Sequence, residues 1–76
     1  MSELEWLDIF GDNLREMLLE TNMTQGELAN ETGLTEAAIS NYINKKRVPT
    51  LRAIVNIAYA LGCDTDELID FGDTIW

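Results

Sequence analysis

An all-α domain is what this sequence predicts: a compact bundle of five helices with a short additional helical segment at the N-terminus. Three observations lead there. Apolar residues recur at helical spacing, as in Leu14, Met17 and Leu18, and again in Leu51, Ile54, Ile57, Ala58 and Leu61. Sustained alternation of apolar and polar residues, the mark of a half-buried strand, occurs nowhere. Glycine, proline and capping residues cut the 76 residues into helix-sized pieces. The whole chain, 1–76, is expected to form one domain with a small core, because the buried fraction falls with chain length.

The elements follow in order. Leu4, Leu7 and Phe10 share one helical face, so a leading helix either stands alone or runs on into the first long helix. Thr24-Gln25-Gly26-Glu27 is a capping box: the Thr24 hydroxyl can accept the Glu27 amide while the Glu27 carboxylate reaches back. The short helix that follows should stop near Gly33, which tolerates the left-handed backbone of a sharp turn. Thr35 can cap a third helix running through Ile43 and Asn44. Pro49 forbids helix at that point, and Thr50 can cap a fourth over 51–61. Gly62 ends it, and Asp64 with Glu67 three residues later marks a fifth start.

Composition excludes several classes. Met1 is followed by Glu3 and Glu5 instead of a basic segment and an apolar run, so no secretory leader is expected. No stretch approaches the ~18 apolar residues of a membrane span. A single cysteine, Cys63, cannot form an internal disulfide, and a cytoplasmic setting is the expectation. The chain has no histidine, no phosphate-cradling glycine loop and no nucleophile beside a base. An enzyme is therefore not expected, nor a metal, a cofactor or a small-molecule substrate.

The net charge of −9 argues against a nucleic-acid partner until its distribution is considered. Residues 1–36 hold nine acids and one base, Arg15, whereas 64–76 hold five acids and no base. Between them, residues 37–63 carry no acid and four bases: Lys45, Lys46, Arg47 and Arg52. A phosphate backbone responds to such a local surface more than to the total. The acidic flanks still weaken non-specific binding.

Within residues 25–44, Leu28 and Ala29 form the inward face of one helix, and Ala38, Ile39 and Tyr42 that of the next. The small Ala29 allows close, steep packing, and Gly33 supplies the turn. That is the specification of a helix-turn-helix whose second helix projects from the domain.

From Phe10 to about Ile69 the sequence resembles the Cro/cI-type, XRE-like helix-turn-helix domains of phage repressors and bacterial regulators. The resemblance rests on FGDNLREML (Phe10–Leu18), TQGELANETGLTEAAISNYIN (Thr24–Asn44), KKRVPTL (Lys45–Leu51) and IAYALGCDTDELI (Ile57–Ile69), in that order and spacing. It implies a lambda-repressor-like DNA-binding fold and a small transcriptional regulator, repressor-like, with a recognition helix over 34–44 in the major groove. Gln25 matches a glutamine that clamps a backbone phosphate, and Thr35 begins the recognition helix. Glu36, Ala37 and Asn41 fall where base edges are read; Asn44, Lys45, Lys46 and Arg47 match the segment that follows the backbone. Amides suit this work because they donate and accept, and lysine and arginine position without reading sequence.

Three positions depart from the family pattern. Thr32 replaces an apolar residue, which predicts a looser, partly solvated joint. Lys45 takes the usual glycine position, so a left-handed cap there is strained or shifted to Asn44. Glu36 at a base-reading position either accepts from cytosine N4 or simply sits favourably at a helix N-terminus. With Ala37 offering only a methyl contact, specificity would lean on DNA shape or dimer spacing. Arg15 and Arg52 are expected to pair with neighbouring acids, and Cys63 fills a slot for a small apolar residue.

Trp6, Phe71, Ile75 and Trp76 lie at the chain ends. They either fold back onto the domain or form a homodimer surface, since two-fold dimers on paired half-sites are common among such domains. Double-stranded DNA is thus the expected partner. The alternative is an acidic protein-interaction module on the same fold, antitoxin-like or otherwise partner-binding, favoured by the total charge and Glu36. No membrane partner is expected.

Overall fold

The computed structural model describes residues 3–69, and within them five helices: α1 (Glu3–Thr21), α2 (Gln25–Thr32), α3 (Glu36–Ile43), α4 (Leu51–Leu61) and α5 (Thr65–Leu68). No strand occurs among the described residues. The leading segment and the first long helix are one continuous α1. Its buried stripe of Leu7, Phe10, Leu14 and Leu18 repeats at three- and four-residue steps, which keeps one face on the core throughout.

The caps fall where the sequence places them. Thr24 accepts from the Glu27 amide at 3.0 Å, and Glu27 Oε1 accepts the Thr24 amide at 3.1 Å. Thr35 and Thr50 accept from Ala38 and Ala53 at 3.0 and 3.1 Å. Asp64 does stand at the N-cap of α5, but its side chain makes no capping bond. The third helix stops at Ile43, with Asn44 as its C-cap, and begins after Thr35, so it spans 36–43 rather than the expected 34–44.

Helices α1 and α2 pack against the buried side of α3, α4 packs on α2, and α5 closes the bundle against α1 and α4; the fully buried Phe10, Leu14, Leu28, Ile39, Ile57 and Leu68 form the core. Phe10 anchors an aromatic stack: Trp6 lies parallel on it at 5.6 Å, and Tyr42 meets it edge-on at 6.2 Å. Trp6 is half-buried against the core; Phe71, Ile75 and Trp76 lie outside the described residues. A hydrogen bond from Asn13 Nδ2 to the Leu68 carbonyl, 2.9 Å, ties α1 to α5. Leu51 does not join the inward face of α4 with Ile54 and Ile57, as its spacing suggests. It opens the helix pointing outward and is 76% exposed.

The joint between α2 and α3 is also tighter than expected. The half-buried Thr32 hydroxyl donates to the Leu28 carbonyl at 2.8 Å and accepts the Leu34 amide at 3.2 Å. An apolar residue would have left that amide without a partner, so the hydroxyl stitches the turn instead of loosening it. Gly33 completes the turn at φ 74°.

Candidate nucleic-acid interface

Four positions of α3, Ala38, Ile39, Tyr42 and Ile43, are buried, so the opposite face is fixed outward by the helical period. That face carries Glu36, Ala37, Ser40 and Asn41, with Asn44 beyond it. It is polar or small throughout. Asn44 Nδ2 donates to Ser40 Oγ at 3.2 Å, which orders the last turn of the face. Thr35 Oγ accepts the Ala38 amide as a cap, and its hydroxyl proton stays available to an outside acceptor.

Glu36 leans back over the start of α2. A methyl group built on Gly26 would meet its Oε2 at 3.6 Å, so the carboxylate lies beside the first turn of that helix, where the backbone dipole favours an anion.

The helix ends decide where the cations go. After α3, the Lys46 amide donates to the Asn41 carbonyl at 2.8 Å and the Lys45 amide to Tyr42 at 3.2 Å, a Schellman ending with Lys45 in the left-handed position. Its φ is 63°, whereas Asn44 remains at −85°, so the cap has not moved. The side chain explains why a lysine is tolerated there. Its ammonium reaches Asp12 at 2.7 Å and Asp8 at 3.2 Å, both on α1. Hydrogen bonding to Asp12 first, then Asp8, pushes its pKa above the ordinary lysine value. Lys45 is thereby set apart from Lys46 and Arg47, which are exposed and have no ion pair with any described residue.

This arrangement requires α1 to lie close against the end of α3, and Gly11 permits it. A Cβ there would stand 2.9 Å from the Tyr42 carbonyl oxygen and 3.1 Å from that of Ile43. Sequence reasoning missed Gly11, because nothing local marks a glycine inside a helix as a long-range contact point.

A shallow groove joins the ends of α1 and α3 to the start of α2. Its polar lining is Arg15, Thr24, Gln25 and Asn44, over a floor that includes Leu18 and Ile43. Gln25 and Asn44, nineteen residues apart in sequence, are thus neighbours on one surface. Arg15 joins them instead of pairing with an acid. Its nearest helical candidate, Asp12, is engaged by Lys45. Arg52 is also without an ion pair among the described residues, since neither turn around it on α4 holds an acid. Cys63 is half-buried, and burial, reinforced by Glu67, pushes its thiol up. No cluster of metal-binding residues occurs among the described residues, and none of their helices is long and apolar enough to cross a membrane.

Two short helices joined by a glycine turn, the second with a solvent-facing polar face, define a helix-turn-helix domain. The HTH_3 helix-turn-helix profile matches residues 14–68, and the chain belongs to this Cro/cI-like, XRE-type family. The chain is similar to the restriction-modification controller protein C.AhdI from Aeromonas hydrophila, at 31% identity and a TM-score of 0.79, covering 82% of this chain and 94% of that one. It shares its fold with a hypothetical transcription factor, NHTF, from Neisseria, at 24% identity and a TM-score of 0.81 over 91% of this chain and 80% of that one. An HTH_3 family transcriptional regulator from Vibrio cholerae superposes with a TM-score of 0.85 at 15% identity, over 88% of this chain but only 38% of that protein. A search of curated proteins finds no significant match.

Proposed function

We propose that the chain is a sequence-specific double-stranded-DNA-binding transcriptional regulator that lays α3 in the major groove and acts as a homodimer on paired half-sites. The observation that carries this reading is the groove uniting Arg15, Gln25 and Asn44 beside the outward face of α3, with exposed Lys46 and Arg47 following it. Asn41 and Ala37 meet base edges, assisted by Thr35; Gln25, Asn44, Arg15, Lys46 and Arg47 hold phosphates. Glu36, drawn back to α2, reads a base only where cytosine N4 comes within reach. Lys45 serves the fold, through α1, more than it serves the DNA. Similarity to a restriction-modification controller supports a regulatory role without catalysis.

Selection from a random duplex pool at low salt, followed by a salt series, tests the reading. Three releasing cations per protomer predict a log–log salt slope of about −5 for a dimer. Lys46→Ala should weaken all sequences evenly and flatten the slope. If no duplex is retained at ~50 mM salt, where phosphate contacts are strongest, the DNA reading fails. An acidic-surface protein module then takes its place. The exposed carboxylates Asp8, Asp12, Glu16 and Glu20, at four-residue steps on α1, are the observation that favours it.

A further inference from the structure

Among the lysines and arginines of the chain, Lys45 alone is paired with acids of the described residues. Its ammonium bridges Asp12 and Asp8, which stand one turn apart on α1. A Cβ built on Gly11 would meet the Lys45 Cγ at 3.1 Å, so the stem as well as the tip is laid against α1. Both hydrogen bonds favour the charged form, and Lys45 is a full cation at neutral pH. Little of this is needed by the fold. The end of α3 is closed by the backbone amides of Lys45 and Lys46, whatever side chain position 45 carries. Glycine would suit its left-handed backbone better, and exposed ion pairs contribute little to stability. What the pair does change is which cations the end of α3 offers: Lys46 and Arg47 are exposed, whereas Lys45 is turned to α1.

We propose that Asp8 and Asp12 are positioning residues that withhold Lys45 from the DNA backbone and so set the affinity of the domain for duplex DNA. The inference rests on the DNA reading above and adds its attenuation by α1. Two carboxylates meet one ammonium, so the cluster carries a net negative charge even when paired. Moving the ammonium to a phosphate would leave both carboxylates bare beside a polyanion, which opposes the exchange. Without Asp8 and Asp12, Lys45 joins Lys46 and Arg47 as a third consecutive cation free to displace counterions. Phosphate contacts act on every sequence alike. The pair therefore lowers affinity for specific and non-specific duplex by one factor and leaves base preference unchanged.

Anisotropy titrations of labelled duplex with the full chain test it, using the selected site and a scrambled one across a salt series. Asp8→Asn together with Asp12→Asn frees one cation per protomer. The log–log salt slope should steepen by about 0.9 per protomer, and affinity at ~100 mM salt should rise roughly 10-fold on both duplexes. Glu16→Gln with Glu20→Gln removes the same charge from α1 and releases no lysine. Its affinity should stay within roughly 3-fold of wild type and its slope within about 0.3, because distant exposed charges are screened. Lys45→Met should cost less than roughly 3-fold in the wild type but about 10-fold beside Asp8→Asn and Asp12→Asn, a coupling that a merely structural role would not produce. The substituted acids are exposed, so thermal melts should show intact folds. An unchanged slope for Asp8→Asn/Asp12→Asn, or an equal gain for Glu16→Gln/Glu20→Gln, overturns the proposal and leaves DNA binding standing. Equal costs of Lys45→Met in both backgrounds do the same. If neither the wild type nor Asp8→Asn/Asp12→Asn retains any duplex, the DNA reading falls and takes this one with it.

Discussion

The outward faces of α3 and α4 are built by the same device and come out opposite in chemistry. Each helix buries one side in the shared core and turns the other to solvent. On α3 the exposed side holds Glu36, Ala37, Ser40 and Asn41; on α4 it holds Leu51, Val55 and Tyr59. Amphipathic periodicity therefore fixes which side faces out, but it leaves open what that side is for. A hydrogen-bonding face with cations beside it suits a charged, hydrated partner and should weaken with salt. An apolar stripe gains from leaving water and should hold in salt, apart from its rim pairs.

The largest effect separating the two faces should come from Gly11→Ala. The added methyl meets the Tyr42 and Ile43 carbonyl oxygens, and backbone on both sides cannot yield as a flexible side chain would. Urea unfolding should show a loss of about 2–3 kcal/mol, at the upper end of overpacking costs. Because the clash is at the end of α3, the folded fraction should also bind duplex more weakly while dimerising normally. A stability change below about 0.5 kcal/mol would mean that α1 and α3 do not lie this close.

Next is Asn41→Ala, set against Asn56→Ala on the exposed side of α4. The first should cost about 1–3 kcal/mol at one base position of the selected site, read from competition binding. The second should leave every position unchanged. Equal effects from both would remove the distinction between the faces as far as DNA is concerned.

A smaller effect is expected at the joint that aims α3. Thr32→Val keeps the shape and removes the hydroxyl, leaving the Leu34 amide without its side-chain partner. Chemical denaturation should show a loss of about 1 kcal/mol, the ordinary net worth of a hydrogen bond with a partly exposed amide. A stabilised Val variant would vindicate the apolar residue that the family pattern prefers at this turn.

Local signals carried much of this architecture. Thr24, Thr35 and Thr50 cap their helices with bonds that span three residues, and Gly33 and Gly62 end theirs within the same stretch of chain. What escaped is the long-range part. Asn13 bonds a carbonyl 55 residues away, and Lys45 bonds an acid 33 residues back. Neither leaves a mark in the neighbouring sequence. The same holds for the groove, where α1 brings Arg15 to Gln25 and Asn44. Leu51 shows the reverse failure: its spacing from Ile54 fits an inward face, yet as the first residue of α4 it stands clear of the other helices. Thr32 departs from an apolar pattern, which predicts a looser joint, yet its hydroxyl satisfies the Leu34 amide of the turn.

The smallest expected effect lies at Lys45, and it separates backbone from charge. Left-handed backbone is unfavourable for lysine and free for glycine, whereas the contacts to Asp8 and Asp12 are exposed and screened. Lys45→Met keeps the strained backbone and removes the charge; Lys45→Gly removes both. The glycine variant should therefore melt above the methionine variant, by a few degrees in a domain of this size. The charge contribution has a defined pH course. The folded-state pKa of Lys45 is raised, so its stabilisation is fully present below the ordinary lysine value of ~10.4 and is lost as pH climbs through the raised value. Melting points of wild type and Lys45→Met should thus differ by a constant amount from about pH 7 to 9 and converge only in stronger base. Added salt should narrow the gap at every pH. A gap that closes near neutrality would mean that Lys45 is not held by these two carboxylates in solution, and would return it to the cations free to meet phosphate.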